Sequence, residues 1–247
     1  MSIFQTIFYQ PILNLVVFLY NIIPGHDLGI AIILLTAVIK IILLPLSKKS
    51  IKSQKALQDL QPKIEAIKKK YADKKEEMGK AMMALYKENK VNPFSSCLPL
   101  LIQLPFLIAV FRVFRDGLSD GALNLVYPFI ERPATINHIA FGFLDLAKPN
   151  VVLAVLAGLA QFWQSKMMIS KRPAIKTPES RDEDIMAVMN KQMLYFMPAI
   201  TVFIALSFPA GLALYWFITT LLTALQQLYL FRNHSQADKV IEGEIVK

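Results

Sequence analysis

Long apolar runs dominate this sequence, and they limit its fold more than any other feature. A helix needs about 20 apolar residues to cross a hydrocarbon layer roughly 30 Å thick. Five segments qualify: 28–46, apolar except for Thr36 and Lys40; 98–114, with Gln103 and Pro105 inside; 149–168, with Gln161 and Gln164; and 193–208 and 211–231, parted only by the turn Pro209-Ala210. With 55% of its 247 residues hydrophobic, the chain has too little polar surface to cover a soluble domain. The expected class is an all-α, polytopic membrane bundle of five transmembrane helices.

Segment 3–23 is also apolar but is interrupted by Gln5, Gln10, Pro11, Asn14 and Asn21, and Pro24-Gly25 marks a turn after it. It either spans or lies in the interface with its polar side toward water, and the interfacial helix is the preferred reading. With neither Lys nor Arg before Lys40, it is not expected to be a simple cleaved signal peptide.

The net charge of +9 raises the question of nucleic acid, but the basic residues sit between apolar runs rather than over a folded surface. Segment 47–93 carries 13 lysines, 164–192 six basic residues and the tail from 232 three, all on one side of a five-span protein. The other side has four: Arg112, Arg115, Arg132 and Lys148. This asymmetry predicts that the first span starts outside and the C-terminus lies in the cytoplasm. The expected organisation is an N-terminal helix (1–27), a five-helix core (28–231) containing a cytoplasmic helical hairpin (47–93), and a short tail (232–247). The hairpin rests on apolar residues at helical spacing, Leu57, Leu60, Ile64 and Ile67, then Met78, Met82, Leu85 and Tyr86, with a charged break at Ala72-Asp73-Lys74. Acid-first pairs Asp59–Lys63, Glu65–Lys69 and Glu76–Lys80 would support it, and its basic faces would meet anionic headgroups.

Lys40 is the outlier. A cation within a span costs about 2.5–3.5 kcal/mol on insertion scales, so function is its default reading. The plainer reading is a stem that snorkels to the interface from six residues before Leu46. Thr36 lies one turn earlier on the same face, and Gln161 and Gln164 share a face of their helix. Gln103, Tyr215 and Trp216 add polar edges in other spans. Each alone is explained as interhelical packing glue; with a cation among them, they are what a wet cavity requires. No acidic residue lies inside any span, Asp27 standing just before the first and Asp116 just after the second. That argues against a small-solute or ion transporter, whose coupling usually needs intramembrane acids, and no inverted repeat is apparent. Spans without His or paired carboxylates exclude an intramembrane hydrolase, and a passive scaffold would tolerate Lys40→Leu. Cys97 is the single cysteine, and His26, His138 and His234 are far apart, so neither a disulfide nor a metal site is expected.

The runs Ala56-Leu57-Gln58-Asp59-Leu60-Gln61-Pro62-Lys63-Ile64, Met83-Ala84-Leu85-Tyr86-Lys87 and Val91-Asn92-Pro93 resemble the YidC family of membrane protein insertases (the YidC/Oxa/Alb group). So do Cys97-Leu98-Pro99-Leu100-Leu101-Ile102-Gln103-Leu104-Pro105, Phe208-Pro209-Ala210-Gly211, Leu214-Tyr215-Trp216 and Gln226-Gln227. The resemblance runs from about residue 9 to 232. It implies an insertase and chaperone of the bacterial inner membrane, without cofactor or bond chemistry, whose five helices enclose a hydrophilic groove open to cytosol and lipid. The family places a basic residue there, commonly Arg; Lys40 in Val38-Ile39-Lys40-Ile41 matches it, keeping the charge without the planar fork. Gln103, Gln164 and Trp216 match positions that line or border the groove; Thr36 and Gln161 are added from helix geometry. Implied partners are nascent membrane proteins, the Sec translocation channel, targeting factors, the ribosome and membrane lipids, with no direct nucleic-acid contact. The tail from Asp238 to Lys247 is short and near neutral, which speaks against ribosome binding through a basic tail. With only residues 115–148 between the second and third spans, a short form lacking the large extracytoplasmic domain of some relatives is expected.

Overall fold

A computed structural model describes residues 2–71, 74–92, 98–117, 122–168 and 192–245. The charged break at 72–73, the Pro93 and Cys97 positions, and most of the basic segment 164–192 lie outside them. The described chain is mostly helical. In chain order the α-helices are α1 (Gln10–Ile22), α2 (Leu28–Ile42), α3 (Leu44–Asp59), α4 (Gln61–Lys70), α5 (Lys75–Glu88), α6 (Leu98–Arg112), α7 (Val151–Met168), α8 (Met197–Ser207) and α9 (Ala210–Ile245). Two short antiparallel strands, β1 (Ile139–Ala140) and β2 (Leu144–Asp145), pair Ile139 with Asp145 and Ala140 with Leu144.

Among the described residues, one helical stretch, Ala210–Phe231, is long and apolar enough to cross a membrane alone. A second results if the interrupted pair α2 and α3 counts as one span. The apolar helices α7 and α8 are shorter. Proline explains much of this segmentation. Segment 28–46 is not one helix: α2 ends at Ile42 and α3 starts at Leu44, directly before Pro45, whose missing N–H cannot continue the ladder. Pro11 and Pro62 stand in the first turns of α1 and α4, where the absent donor is harmless. Wider π turns, Gln5–Tyr9 and Gln192–Phe196, precede α1 and α8 with Pro11 and Pro198 close behind. Pro105 lies inside α6.

The chain forms two compact units. The first takes in Met1–Leu44, Leu100–Gln161 and Pro198–Leu222. Its core is a single apolar cluster, with Leu13, Val16, Val17, Leu28, Ile32, Leu35, Val110 and Val113 fully buried. α1 packs along α2, and the close approach of α2 to the strand turn is possible because position 29 is Gly, where a Cβ would lie 2.7 Å from that of Ala140. Away from that core, large apolar side chains face outward, among them Leu101, Leu159 and Phe203 at 56, 59 and 73% exposure. An exterior of that kind suits lipid better than water.

Three polar side chains of the N-terminal segment bond to the backbone of a distant loop. Asn14 is 2% exposed. Its Nδ2 donates to the Gln10 and Leu125 carbonyls (2.7 and 3.2 Å), and its Oδ1 accepts from Tyr127 N–H (2.6 Å). Gln10 also donates to Leu125 O (3.1 Å) and Asn21 to Glu131 O (2.7 Å), while Tyr20 Oη accepts from Asn137 N–H (2.9 Å). These side chains satisfy the backbone of residues 125–137, which has little secondary structure with which to satisfy itself. Asp27 caps α2 through Ile30 N–H (3.0 Å) and accepts from Phe141 N–H, steadying a turn in which Phe141 and Gly142 both have positive φ. The N-termini of α9 and α7 are met in the same way: Ala210 and Gly211 donate to the Lys148 and Leu146 carbonyls, and Asn150 caps α7 through Leu153 N–H.

The second unit takes in Pro45–Pro99, Phe162–Met197 and Thr223–Lys247. Within it α4 and α5 pack together through Leu60, Ile64 and Leu85, with Ile67, Met82, Tyr86 and Val91 against them. The expected Asp59–Lys63 pairing is replaced: Asp59 ends α3 while Lys63 belongs to α4, and Asp59 pairs backward with Lys55 at 2.7 Å. The Lys55 ammonium also lies 5.8 Å from the Phe231 ring centre.

Candidate functional site

α2 carries the cation. Because that helix stops at Ile42, Lys40 falls in its last turn rather than in the interior of a continuous span. The partial negative charge of the helix C-terminus favours an ammonium there. Lys40 is half-buried. Thr36, one turn earlier, is fully buried, and its hydroxyl donates to Ile32 O at 2.7 Å, bonding back along its own helix.

Gln103 and Tyr215 are brought together from α6 and α9: the amide Nε2 donates to the phenol oxygen. Tyr215 is 1% exposed and Gln103 half-buried, so a polar contact stands at the edge of an apolar core. Thr219, one turn further along α9, interacts with the same phenol. Trp216 follows Tyr215 and is half-buried. Gln161 and Gln164 are half-buried on one face of α7. Six of the seven predicted residues thus fall into one pair joined by a hydrogen bond, Gln103 with Tyr215, and two pairs related by a common helix, Thr36 with Lys40 and Gln161 with Gln164; Trp216 stands beside Tyr215 on α9.

Sequence reasoning passed over further buried hydroxyls in the same unit: Thr201, Thr219 and Thr220 are 3, 8 and 4% exposed. The adjacent threonines one turn beyond Tyr215-Trp216 were the available signal. Among the described residues, no group of three or more His, Cys, Asp or Glu is placed to hold a metal ion. A cation, amides, hydroxyls and a phenol are equipped to bind and guide polar groups.

Residues 18–237 match the family described as 60Kd inner membrane protein. The membrane protein insertase YidC of Fusobacterium nucleatum is 36% identical over 207 residues, covering 84% of this chain and 87% of that protein. The chain belongs to the YidC family. The Geobacter metallireducens YidC is 33% identical over 233 residues, 93% of this chain but 38% of the relative. The Francisella tularensis subsp. novicida YidC is 36% identical over 211 residues, 85% of this chain and 34% of the relative. The chain therefore spans well under half the length of the Geobacter and Francisella proteins, and most of the Fusobacterium one. Membership of the YidC family places it among bacterial inner membrane proteins.

Proposed function

We propose that this chain inserts nascent membrane proteins, passing their short extracytoplasmic segments through a hydrated, positively charged groove and releasing their apolar spans into lipid. The relatives' printed function supports insertion. The observation that carries the groove is a half-buried Lys40 at the end of an apolar helix, in the unit where the Gln103 amide also meets the Tyr215 phenol. In this reading the spans are 28–46, 98–114, 149–168, 193–208 and 211–231, Lys40, Thr36, Gln103, Gln161, Gln164, Tyr215 and Trp216 line the groove, and the Lys-rich segments and C-terminus face the cytosol.

The mechanism is physical throughout. An acidic tail of a substrate is drawn to Lys40, so that it crosses a shortened hydrocarbon distance. Its apolar span then gains about 25 cal/mol for each Å² moved into lipid. The membrane potential adds roughly 2.3 kcal/mol per charge per 100 mV as an acidic tail moves outward. No covalent bond is made or broken. Nascent chains are the first partners; the Sec channel, targeting factors and the ribosome follow from the same reading, with α4 and α5 as a cytoplasmic hairpin available to them.

Complementation of insertase-depleted cells tests the proposal. Lys40→Arg should sustain insertion, and Lys40→Glu should impair it most for substrates with acidic tails. Full complementation by Lys40→Glu would remove the electrostatic role while leaving family membership intact.

A further inference from the structure

The turn joining β1 to β2 is apolar on both of its sides. Ala140, Leu144 and Leu146 are buried in the core of the first unit, while Ile139, Phe141 and Phe143 are 41, 40 and 81% exposed. We infer that this outer face lies in the membrane interface, against the headgroup ends of lipid acyl chains, and anchors the N-terminal end of α2 there.

Hydrogen bonds set the level of the turn. Leu146 N–H donates to the His138 carbonyl beyond the strand pair, and the Leu146 and Lys148 carbonyls accept from Gly211 and Ala210 at the start of α9. Asn150 caps α7, whose first two residues, Val151 and Val152, are exposed. Phe141 N–H donates to Asp27, the cap of α2, and the Phe141 ring lies where a Cβ on Gly29 would meet it. Three apolar helices therefore begin beside this one turn. Such helices enter the hydrocarbon layer at their first turns, and the headgroup zone extends only about 5–7 Å further on each side. Phe143 stands three residues from Leu146, about 10 Å of chain at full extension. With Phe141 held against the second residue of α2, the tip stays near the level of the helix starts.

Side-chain type and continuity favour lipid as the occupant. The outward side chains are one branched aliphatic and two aromatic groups, the kind that interfacial segments bury at the headgroup boundary. Phe141 has φ 55°, a conformation uncommon for a bulky residue and one that Asn or Gly would adopt with less strain. Its ring packs on Gly29 and still leaves the residue exposed. Ile30, next to Gly29, and Leu34 one turn on are exposed too, so outward apolar side chains follow the turn along α2. Lys40 lies about 18 Å along that helix from Leu28, so an anchored N-terminus fixes the depth of the cation. That consequence rests on the groove proposed above; the lipid contact does not.

The test places the full chain in phosphatidylcholine nanodiscs. With the two native tryptophans removed by Trp163→Phe and Trp216→Phe, Phe143→Trp supplies the fluorophore. Lipids brominated high on the acyl chain should quench it strongly, and aqueous acrylamide should quench it several-fold less than it quenches N-acetyltryptophanamide. If that background does not fold, Phe143→Cys with Cys97→Ser, carrying a nitrobenzoxadiazole label and read with nitroxide lipids and iodide, makes the same comparison. Aqueous quenching equal to that of the free fluorophore, without quenching from lipid, overturns the inference. Tryptophan itself favours interfaces, so hydrogen exchange tests the native ring. Phe143→Ser should leave thermal unfolding in detergent unchanged and raise exchange of the 139–145 amides in nanodiscs several-fold. Exchange unaltered by that substitution overturns the anchor. Because insertion activity is not the readout, failure here is distinguishable from failure of the Lys40 mechanism.

Discussion

The hydrogen bond between Gln103 and Tyr215 gives the sharpest quantitative test of a polar seam between helices α6 and α9. Tyr215→Phe deletes one hydroxyl and keeps the ring, so packing around a side chain of 1% exposure is preserved. The stranded Gln103 amide is half-buried and can turn toward solvent, which limits the cost to about 0.5–1 kcal/mol. Gln103→Leu takes the amide donor from the phenol, deeper in the protein, leaves it Thr219 alone, and should cost about 1–2 kcal/mol. Interhelical hydrogen bonds in membrane proteins average about 0.6 kcal/mol and reach about 1.7. A double-mutant cycle should therefore return a coupling of about 0.5–1.5 kcal/mol. Reversible unfolding in mixed micelles, followed by fluorescence of Trp163 and Trp216, supplies the four free energies. Additivity within about 0.3 kcal/mol would refute the contact.

Three other perturbations have defined outcomes. Asn14→Ala should destabilise by about 2–4 kcal/mol, since it removes hydrogen bonds to Leu125 and Tyr127 and leaves a backbone N–H without its partner; protease sensitivity of residues 122–137 should rise in parallel. Gly29→Ala should cost about 1–3 kcal/mol by thermal unfolding, because the new Cβ would meet Ala140 and the Phe141 ring, each at 2.7 Å. The Lys148 ammonium, hydrogen-bonded to Asp145 at 2.9 Å, and then the Ala147 N–H hold the Asp145 carboxyl below its usual value. Its stabilising contribution is thus fully present above the ordinary carboxylate pKa and is lost as pH falls through the lowered folded value; Lys148→Ala should move the carboxyl resonance titration upward.

The helical class was legible because apolar run length and the absence of strand patterning are strong signals. Leu60, Ile64, Ile67, Met82, Leu85 and Tyr86 were legible too, since packing of α4 on α5 follows the 3.6-residue period. Helix ends were less so. The break after Ile42 depends on one missing N–H at Pro45, and hydropathy does not register a lost donor. The partners of the polar residues of α1 were hidden for a different reason. Gln10, Asn14 and Asn21 serve backbone groups more than 100 positions away, and local pattern carries no trace of such partners. At the site, Gln103 and Tyr215 stood out as polar atoms in apolar runs, whereas their pairing across 112 positions did not. Thr219 and Thr220 escaped because a hydroxyl in an apolar helix is routinely satisfied by its own backbone.

The central claim is that water reaches residue 40 from the cytosol. With Cys97→Ser removing the only native thiol, Lys40→Cys can be probed with a membrane-impermeant maleimide in inside-out and right-side-out vesicles. Rapid labelling from the cytoplasmic face, and none from the other, is the predicted result. A thiol that stays unlabelled from both faces until the protein is denatured would contradict it.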